Sequence, residues 1–310
     1  MNLAEKPAAP GVEPGRISGL IGIRKVLKIT IWLLIPLVVW WSVRDISFTE
    51  ISESFRQIGL QAILVLLGIN VFIFLLLSLR WWMVIRALGL RVSIISVIGY
   101  RLAGFGVTYF TPGPQIGGEP LQVYLLKERD GIPISPAATS VMIDKLLELL
   151  ANFSFLLVGV SVLVFSGIFV SVNKILLILF PVLLLTLPIT YLVFLRAGSL
   201  PLSSFLRKLG RYFSNSAKFQ QVEVTTTTTE SMVSEFCRRN MSVLLAGAVL
   251  SVGIWILMVF EFNLMLRYLG IQFTLVQIMI ALTAARIAFL LPFPAGLGTP
   301  VSYTHLRAHE

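Results

Sequence analysis

Charged side chains within long apolar stretches are the residues of this sequence best suited to chemistry. Each one costs roughly 2.5–3.5 kcal/mol to place at the centre of a membrane helix, so each marks a candidate functional site. Arg101 can present a bidentate fork to a phosphate group, or it can pair with an acid to support the structure. Arg286 is a similar residue in a later apolar stretch. We predict that both arginines contact phosphate.

A second group of charges lies near the start of the apolar stretch 137–165. Asp144 and Glu148 are four residues apart, which places them on one face of a helix, and Lys145 lies beside them. These side chains can bind the amino group of a lipid headgroup or relay a proton. Alternatively, they form an internal ion-pair network at the end of the helix.

Two adjacent glycines and an acid lie between Arg101 and Asp144 in the sequence. Gly117 and Gly118 permit close backbone approach and an anion-binding nest of amide groups. Glu119 either lines the same headgroup site or caps a short amphipathic helix over 121–129, where it would meet the helix dipole.

The elements that position these residues must lie in a membrane. The 310-residue chain is 56% hydrophobic and 13% charged, whereas about 25% of residues are charged in soluble domains. The net charge of +10 is expected to lie in cytoplasmic loops rather than on a nucleic-acid-binding surface. The chain has a single cysteine, Cys237, so no disulfide can form within it. Its two histidines, His305 and His309, lie at the C-terminus, which argues against a metal site or a histidine-based triad.

Several apolar runs reach the length that crosses a bilayer. The predicted spans are Val26–Val43, Leu60–Trp82, Ala137–Phe165, Ile175–Leu195 and Met241–Leu266. The segment Arg80–Trp82 has the character of an interfacial helix end. Clusters of Lys and Arg place residues 1–28, 80–91 and 196–240 in the cytoplasm.

Two further apolar segments, 92–118 and 273–298, carry helix-breaking residues. The breaks are at Pro112, Pro114, Pro292, Pro294 and Gly298. If 92–118 crossed the membrane, the basic loop 196–240 would lie outside, so we predict that both segments are re-entrant hairpins lining a cavity. The alternative is an ordinary span followed by an external loop.

An internal repeat is visible in the sequence. Ile85–Ile94 matches Leu266–Leu275 at an offset of 181, and Tyr109–Pro120 matches Phe289–Pro300 at an offset of 180. Each copy would contain three crossings and one hairpin, so the second copy would be inverted. Inverted repeats with broken apolar segments in matching positions are typical of secondary transporters. We therefore predict an all-α polytopic helix bundle with two inverted repeats.

The predicted organisation follows from these boundaries. The segments are a disordered cytoplasmic tail (1–24), a transmembrane domain (25–300), its first repeat (25–166), its incomplete second repeat (173–300), a cytoplasmic loop (196–240) with a flexible threonine run (225–229), and a foreign tail (301–310). The second repeat would need one more crossing after Pro300, and we predict a truncated reading frame. The foreign tail holds both histidines and is left out of functional reasoning.

Four motifs together resemble a known family. They are Arg80-Trp-Trp, Ala87-Leu-Gly-Leu, Pro112–Pro120 and Ala138–Glu148, and a second Pro-x-Pro-x-Gly-x-Gly begins at Pro292. Over about residues 25–300 the chain resembles the flippase-like membrane family of the lysylphosphatidylglycerol synthase transmembrane region. The resemblance implies about eight crossings and the movement of a polar-headed phospholipid between leaflets.

The resemblance also sets expectations about partners. The chain has no room for the soluble aminoacyl-transfer domain of the synthases, so we expect no enzyme activity, no cofactor and no metal. We expect a multi-pass protein of a bacterial or archaeal inner membrane with a cytoplasmic N-terminus. Its partners would be membrane phospholipids, with a homo-oligomer and a separate lipid-modifying enzyme as compatible additions, and no nucleic acid.

Two other functions remain open. The first is a membrane-embedded transferase acting on a lipid-linked substrate, for which Asp144 and Glu148 form the one tempting carboxylate pair. The second is a small-solute secondary transporter with a sealed polar site and no lateral opening to lipid.

Overall fold

The computed structural model describes residues 48–110, 117–167, 173–210 and 217–290, and helices dominate these ranges. The helices found there are α1 (Phe48–Ala87), α2 (Ile94–Phe110), α3 (Glu119–Asp130), α4 (Ile134–Phe165), α5 (Lys174–Arg196), α6 (Pro201–Gly210), α7 (Ala217–Arg239), α8 (Met241–Tyr268) and α9 (Leu275–Leu290). Helix α1 is interrupted at Gly59, whose φ of 76° is readily adopted by glycine. The predicted fold class, a polytopic helical membrane protein, is confirmed.

Four helices of the described ranges are long and apolar enough to cross a bilayer. They are Gly59–Ala87, Ile134–Phe165, Lys174–Arg196 and Met241–Tyr268, and they coincide with four predicted spans. Helices α2 and α9 are apolar but shorter. The predicted span Val26–Val43, the two tails and the five predicted helix breaks (Pro112, Pro114, Pro292, Pro294 and Gly298) lie outside the described residues.

Helix α4 is the central element of the bundle, because α3, α5, α7, α8 and α9 all pack against it. Its contact with α9 is close at one glycine. A Cβ atom added to Gly159 of α4 would lie 1.8 Å from the Oγ1 atom of Thr283 in α9. Small residues at membrane helix interfaces allow this kind of close backbone approach. The glycine therefore sets how deeply α9 docks on α4.

Helices α2 and α3 form an antiparallel hairpin. Near the base, the hydroxyl of Tyr100 donates to Asp130 Oδ2 at 2.7 Å. Further along, a Cβ atom on Gly118 would lie 2.2 Å from the carbonyl oxygen of Gly104, and a Cβ atom on Gly104 would press on Gln122. Helix α3 thus runs back along α2, whereas the predicted hairpin was the segment 92–118. Its re-entrance from one side of a membrane stays a prediction.

The connection between α5 and α8 was predicted to be a long polar loop over 196–240, and that prediction was wrong. It contains helices α6 and α7, and the threonine run 225–229 lies inside α7. Helix α7 buries Val233 and Phe236 on the core formed by α4 and α5. Its buried face also includes polar residues, so the apolar periodicity that would reveal a helix is weak.

The ends of α1 and α8 are built alike, 181 residues apart. Each helix is followed by a glycine in the left-handed region, Gly89 with a φ of 76° and Gly270 with a φ of 75°. The next helix then begins after a hydroxyl side chain that accepts a backbone N–H three residues on, Ser93 before α2 and Thr274 before α9. These matching caps fall within the first of the two sequence matches.

Tertiary contacts follow the same offset. The rings of Phe74 and Phe105 meet edge to face with their centroids 5.8 Å apart, which joins α1 to α2. The residues 181 positions later are Trp255 and Arg286, and the Arg286 guanidinium lies 4.5 Å from the Trp255 ring centroid, which joins α8 to α9. Equivalent positions therefore form an aromatic pair between α1 and α2 and a cation–π contact between α8 and α9.

Helices α1 and α8 cross in antiparallel directions and form two hydrogen bonds between equivalent positions. Arg80 donates to Ser251 at 2.9 Å, and Asn70 donates to Glu261. Ser251 is 181 residues after Asn70, and Glu261 is 181 residues after Arg80. This reciprocal pairing is the pattern that a two-fold axis through the crossing produces. The correspondences favour an internal repeat, and the inversion of its two copies across a membrane stays a prediction.

Candidate functional site

Two arginines from different helices share one aspartate in the interior of the bundle. Arg80 of α1 donates through Nε to Asp144 Oδ1 at 2.8 Å, and Arg101 of α2 donates through Nη2 to Asp144 Oδ2 at 2.6 Å. None of the three residues is more than 6% exposed. The charged triad Arg80–Asp144–Arg101 carries a net charge of +1 and ties α1 and α2 to the central helix α4.

Helix α8 completes the environment of Arg80 with small residues. Ser251 accepts from Arg80 Nη1, and its own hydroxyl donates to the carbonyl of Gly247 at 2.8 Å. A Cβ atom on Gly247 would lie 2.7 Å from Leu147 and 3.7 Å from the Arg80 side chain. A small residue every fourth position lets α8 approach the triad closely. Arg80 therefore has partners on both α4 and α8.

Arg101 differs from Arg80 because part of its donor capacity is unused. Its Nε atom is buried and has no hydrogen-bond partner among the described residues. The guanidinium carbon lies 5.4 Å from the Trp81 ring centroid and 6.0 Å from the Phe105 ring centroid, so aromatic faces stabilise the cation. A buried N–H without an acceptor is costly, and an incoming anionic oxygen would satisfy it.

A second charge network lies beside the triad. Lys145 Nζ lies 2.9 Å from Glu119 Oε1 and 3.0 Å from Glu148 Oε1, so one ammonium joins α3 to α4. These three side chains are 21–25% exposed, whereas those of the triad are at most 8% exposed. The network has a net charge of −1. Together with the triad it forms adjoining positive and negative regions.

The glycines before α3 support this second network. Gly117 donates its backbone N–H to Glu119 Oε2 at 2.9 Å, which fixes the carboxylate that meets Lys145. Gly118 is the residue that crosses Gly104 of α2. Glu119 is the first residue of α3, which begins two residues before the predicted helix 121–129, so its carboxylate lies at the positive end of the helix dipole.

Arg286 lies apart from the triad. Its guanidinium covers Trp255, which in turn stacks on Phe155 of α4 with the ring centroids 3.8 Å apart. Its Nη2 atom lies 3.7 Å from the sulfur of Met258. Among the described contacts, the structure therefore brings Arg101 and Asp144 together directly and holds Arg286 on an aromatic stack instead.

The buried ion pair of Arg80 was not predicted from the sequence. The segment Arg80–Trp82 was predicted to be an interfacial helix end, but α1 continues to Ala87, and Arg80 and Trp81 are 2% and 0% exposed. The available signal was the pair of small polar positions Ser78 and Ser251, since polar side chains in apolar helices often mark a buried partner. For Asp144, Lys145 and Glu148, the ion-pair network that sequence reasoning left as an alternative is what the structure contains.

Comparison with known proteins gives a consistent family signal. A family model described as the lysylphosphatidylglycerol synthase TM region matches residues 26–300. A UPF0104 membrane protein of Methanothermobacter thermautotrophicus is 21% identical over 257 residues, covering 80% of this chain and 75% of that protein. A UPF0104 membrane protein of Methanocaldococcus jannaschii is 23% identical over 144 residues, covering 46% of this chain and 43% of that protein. No solved structure matches the chain.

Proposed function

The chain belongs to the lysylphosphatidylglycerol synthase transmembrane region family, and on that premise we propose that it moves a polar-headed phospholipid between the leaflets of a cell membrane. The membrane would be the inner membrane of a bacterium or archaeon, with the N-terminus in the cytoplasm. The observation that carries the proposal is the buried Nε atom of Arg101, for which the described residues offer no hydrogen-bond acceptor. It is the donor best placed to take a phosphate oxygen.

The charge pattern supports a zwitterionic or amine-bearing headgroup. The triad, with net charge +1, suits the phosphate, and the network of Glu119, Lys145 and Glu148, with net charge −1, suits an ammonium group. Arginine binds phosphate through fixed, directional donors. The acyl chains would stay in lipid throughout. In this mechanism Arg286 lines the path rather than the first binding position.

Access to Arg101 requires a movement of the protein. The triad is sealed in this structure, whereas the second network is partly exposed. A headgroup would first meet the exposed network, and a shift of the α2–α3 hairpin would then open the triad. Hairpin helices that move against a fixed partner are a common basis of alternating access. The glycine contact between Gly104 and Gly118 allows the two helices of the hairpin to move together.

The geometry weighs against a membrane-embedded transferase. Such an enzyme needs a carboxylate that is free to accept a proton or hold a metal. Asp144 is engaged by two guanidinium groups, and Glu148 is engaged by Lys145. The family match covers a transmembrane region, so aminoacyl transfer forms no part of the proposal.

A lipid-accessibility assay tests the proposal. The protein is reconstituted in vesicles containing fluorescent phospholipids of several headgroups, and a membrane-impermeant reductant reports which lipids reach the outer leaflet. We expect protein-dependent access that falls at least about tenfold in Arg101→Gln, because the phosphate loses a charge-assisted bond of about 1.5–3 kcal/mol. The control is Arg91→Gln, which removes the same charge from an exposed loop position.

Two results would contradict the proposal. One is access no greater than in empty vesicles for every headgroup, which would favour a solute transporter or an enzyme. The other is equal access for wild type and Arg101→Gln, which would remove Arg101 from the lipid path.

A further inference from the structure

Helix α6 is too short to cross a bilayer and yet exposes apolar side chains. Its ten residues, Pro201–Gly210, span about 15 Å. Leu202, Phe205 and Leu209 are 41%, 61% and 37% exposed. They recur at intervals of three and four residues, so they share one face of the helix. An exposed apolar face of this kind is expected to contact lipid or another protein.

The remaining faces of α6 have different surroundings. Ser203 is fully buried, and a Cβ atom on Gly210 would lie 2.7 Å from the Phe219 ring of α7, so this flank rests on α7. Ser204 and Arg207 are exposed on the side opposite the apolar stripe. The helix therefore lies with its flank against the protein, while its apolar and polar faces point in opposite directions.

A buried carboxylate from another helix holds the start of α6. The residue before the helix, Leu200, has no side-chain oxygen to cap it. Glu230 of α7, which is fully buried, accepts the backbone N–H of Leu202 at 2.9 Å and that of Ser203 at 2.8 Å. The carboxylate also meets the positive end of the helix dipole. Glu230 therefore fixes both the position and the rotation of α6.

The same carboxylate ties α6 to the end of a candidate span. The hydroxyl of Tyr191 in α5 donates to Glu230 Oε1 at 2.9 Å, and Ser234 of α7 donates to the carbonyl of Leu195 at 2.6 Å. Gly198, with a φ of 85°, turns the chain from α5 into α6 within four residues. Since α5 is long enough to cross a bilayer, α6 is held at the level where that crossing ends.

We infer that α6 is a membrane-surface helix whose apolar face enters the headgroup region beside α5, and that Glu230 is the residue that positions it. The partner is a lipid surface with anionic headgroups, because the exposed basic residue Lys208 lies beside Phe205 at the edge of the apolar stripe. Helices of this type bury their apolar face about 5–10 Å below the surface. The inference is independent of lipid translocation.

Spin labels along α6 test the inference in reconstituted protein. Single cysteines are introduced in a Cys237→Ala background as Phe205→Cys and Leu209→Cys on the apolar face, with Ser204→Cys and Arg207→Cys on the opposite face as matched controls. Power saturation compares the accessibility of each label to oxygen, which concentrates in lipid, and to a water-soluble nickel chelate. Vesicles of phosphatidylcholine alone are compared with vesicles containing phosphatidylglycerol.

We expect the oxygen-to-nickel ratio to be several-fold higher on the apolar face than on the control face, and to rise further with phosphatidylglycerol. Equal ratios on both faces would overturn the inference and would favour a protein as the cover. A ratio that does not respond to phosphatidylglycerol would overturn the preference for anionic lipid. In Glu230→Gln, the contrast between faces should fall at least twofold with overall helicity unchanged, and an intact contrast would overturn the positioning role.

Discussion

Neutralising Asp144 alone should destabilise the protein more than removing the whole charged triad. In Asp144→Asn, the guanidinium groups of Arg80 and Arg101, each 2% exposed as residues, lose their shared counter-charge inside the protein. Removal of one partner from a buried ion pair costs about 3–5 kcal/mol. We expect the free energy of unfolding of Asp144→Asn to fall by that amount.

The apolar triple variant Arg80→Met, Asp144→Leu, Arg101→Met should behave differently. It removes the attraction between the charges, but it also removes the cost of desolvating three ions. Replacement of buried ion pairs and triads by apolar residues of similar volume is often neutral, or stabilising by about 1–4 kcal/mol. We therefore expect this variant to be as stable as the wild type.

The single cysteine of the chain provides the assay. Cys237 is 3% exposed, and burial raises the pKa of its thiol to about 11, so the thiol reacts slowly until the protein unfolds. A thiol-reactive dye followed during heating should report a Tm about 6–20 °C lower for Asp144→Asn, at about 2–4 °C per kcal/mol. A Tm of Asp144→Asn equal to that of the wild type, or a Tm of the triple variant as low as that of Asp144→Asn, would contradict the expected cost of the unpaired arginines.

Three further changes probe the packing and the thiol. Gly159→Ala should lower the free energy of unfolding by about 1–3 kcal/mol because its Cβ atom would strike Thr283. The control Gly253→Ala, whose Cβ atom would have nothing within 4 Å, should leave the Tm unchanged. Equal effects of the two substitutions would contradict the close packing of α4 on α9. Ser251→Ala should cost about 1–3 kcal/mol because it leaves an Arg80 donor buried without that acceptor, and an unchanged Tm would argue against the bond. Alkylation of folded Cys237 should accelerate about tenfold per pH unit from pH 7 to 10, and a plateau near pH 9 would contradict the raised pKa.

The spans and the identity of the charged candidates could be predicted from the sequence. Apolar run length sets where helices can cross a bilayer, and a charge inside such a run is conspicuous by its cost. Arg101 and Asp144 were found in this way. That they contact each other could not be predicted, since they lie 43 residues apart and pair only because the α2–α3 hairpin packs on α4.

Other features escaped prediction for physical reasons. Arg80 lies next to two tryptophans near the end of an apolar run, where a basic residue usually meets the membrane surface. Its burial depends on Gly247 and Ser251 of α8, which are distant in sequence. Helix α7 was missed because its buried face includes the charged residue Glu230, whose partners are backbone amides of α6 rather than apolar neighbours.

Lipid translocation by the apolar triple variant shows whether the triad handles the lipid headgroup. The variant is predicted to fold with a wild-type Tm, so any change in transport reports the loss of the triad rather than the loss of the fold. We predict that labelled phospholipid crosses no faster than in protein-free vesicles, while Arg91→Gln retains the wild-type rate. A stable triple variant that translocates lipid at the wild-type rate would contradict the claim that the triad handles the headgroup.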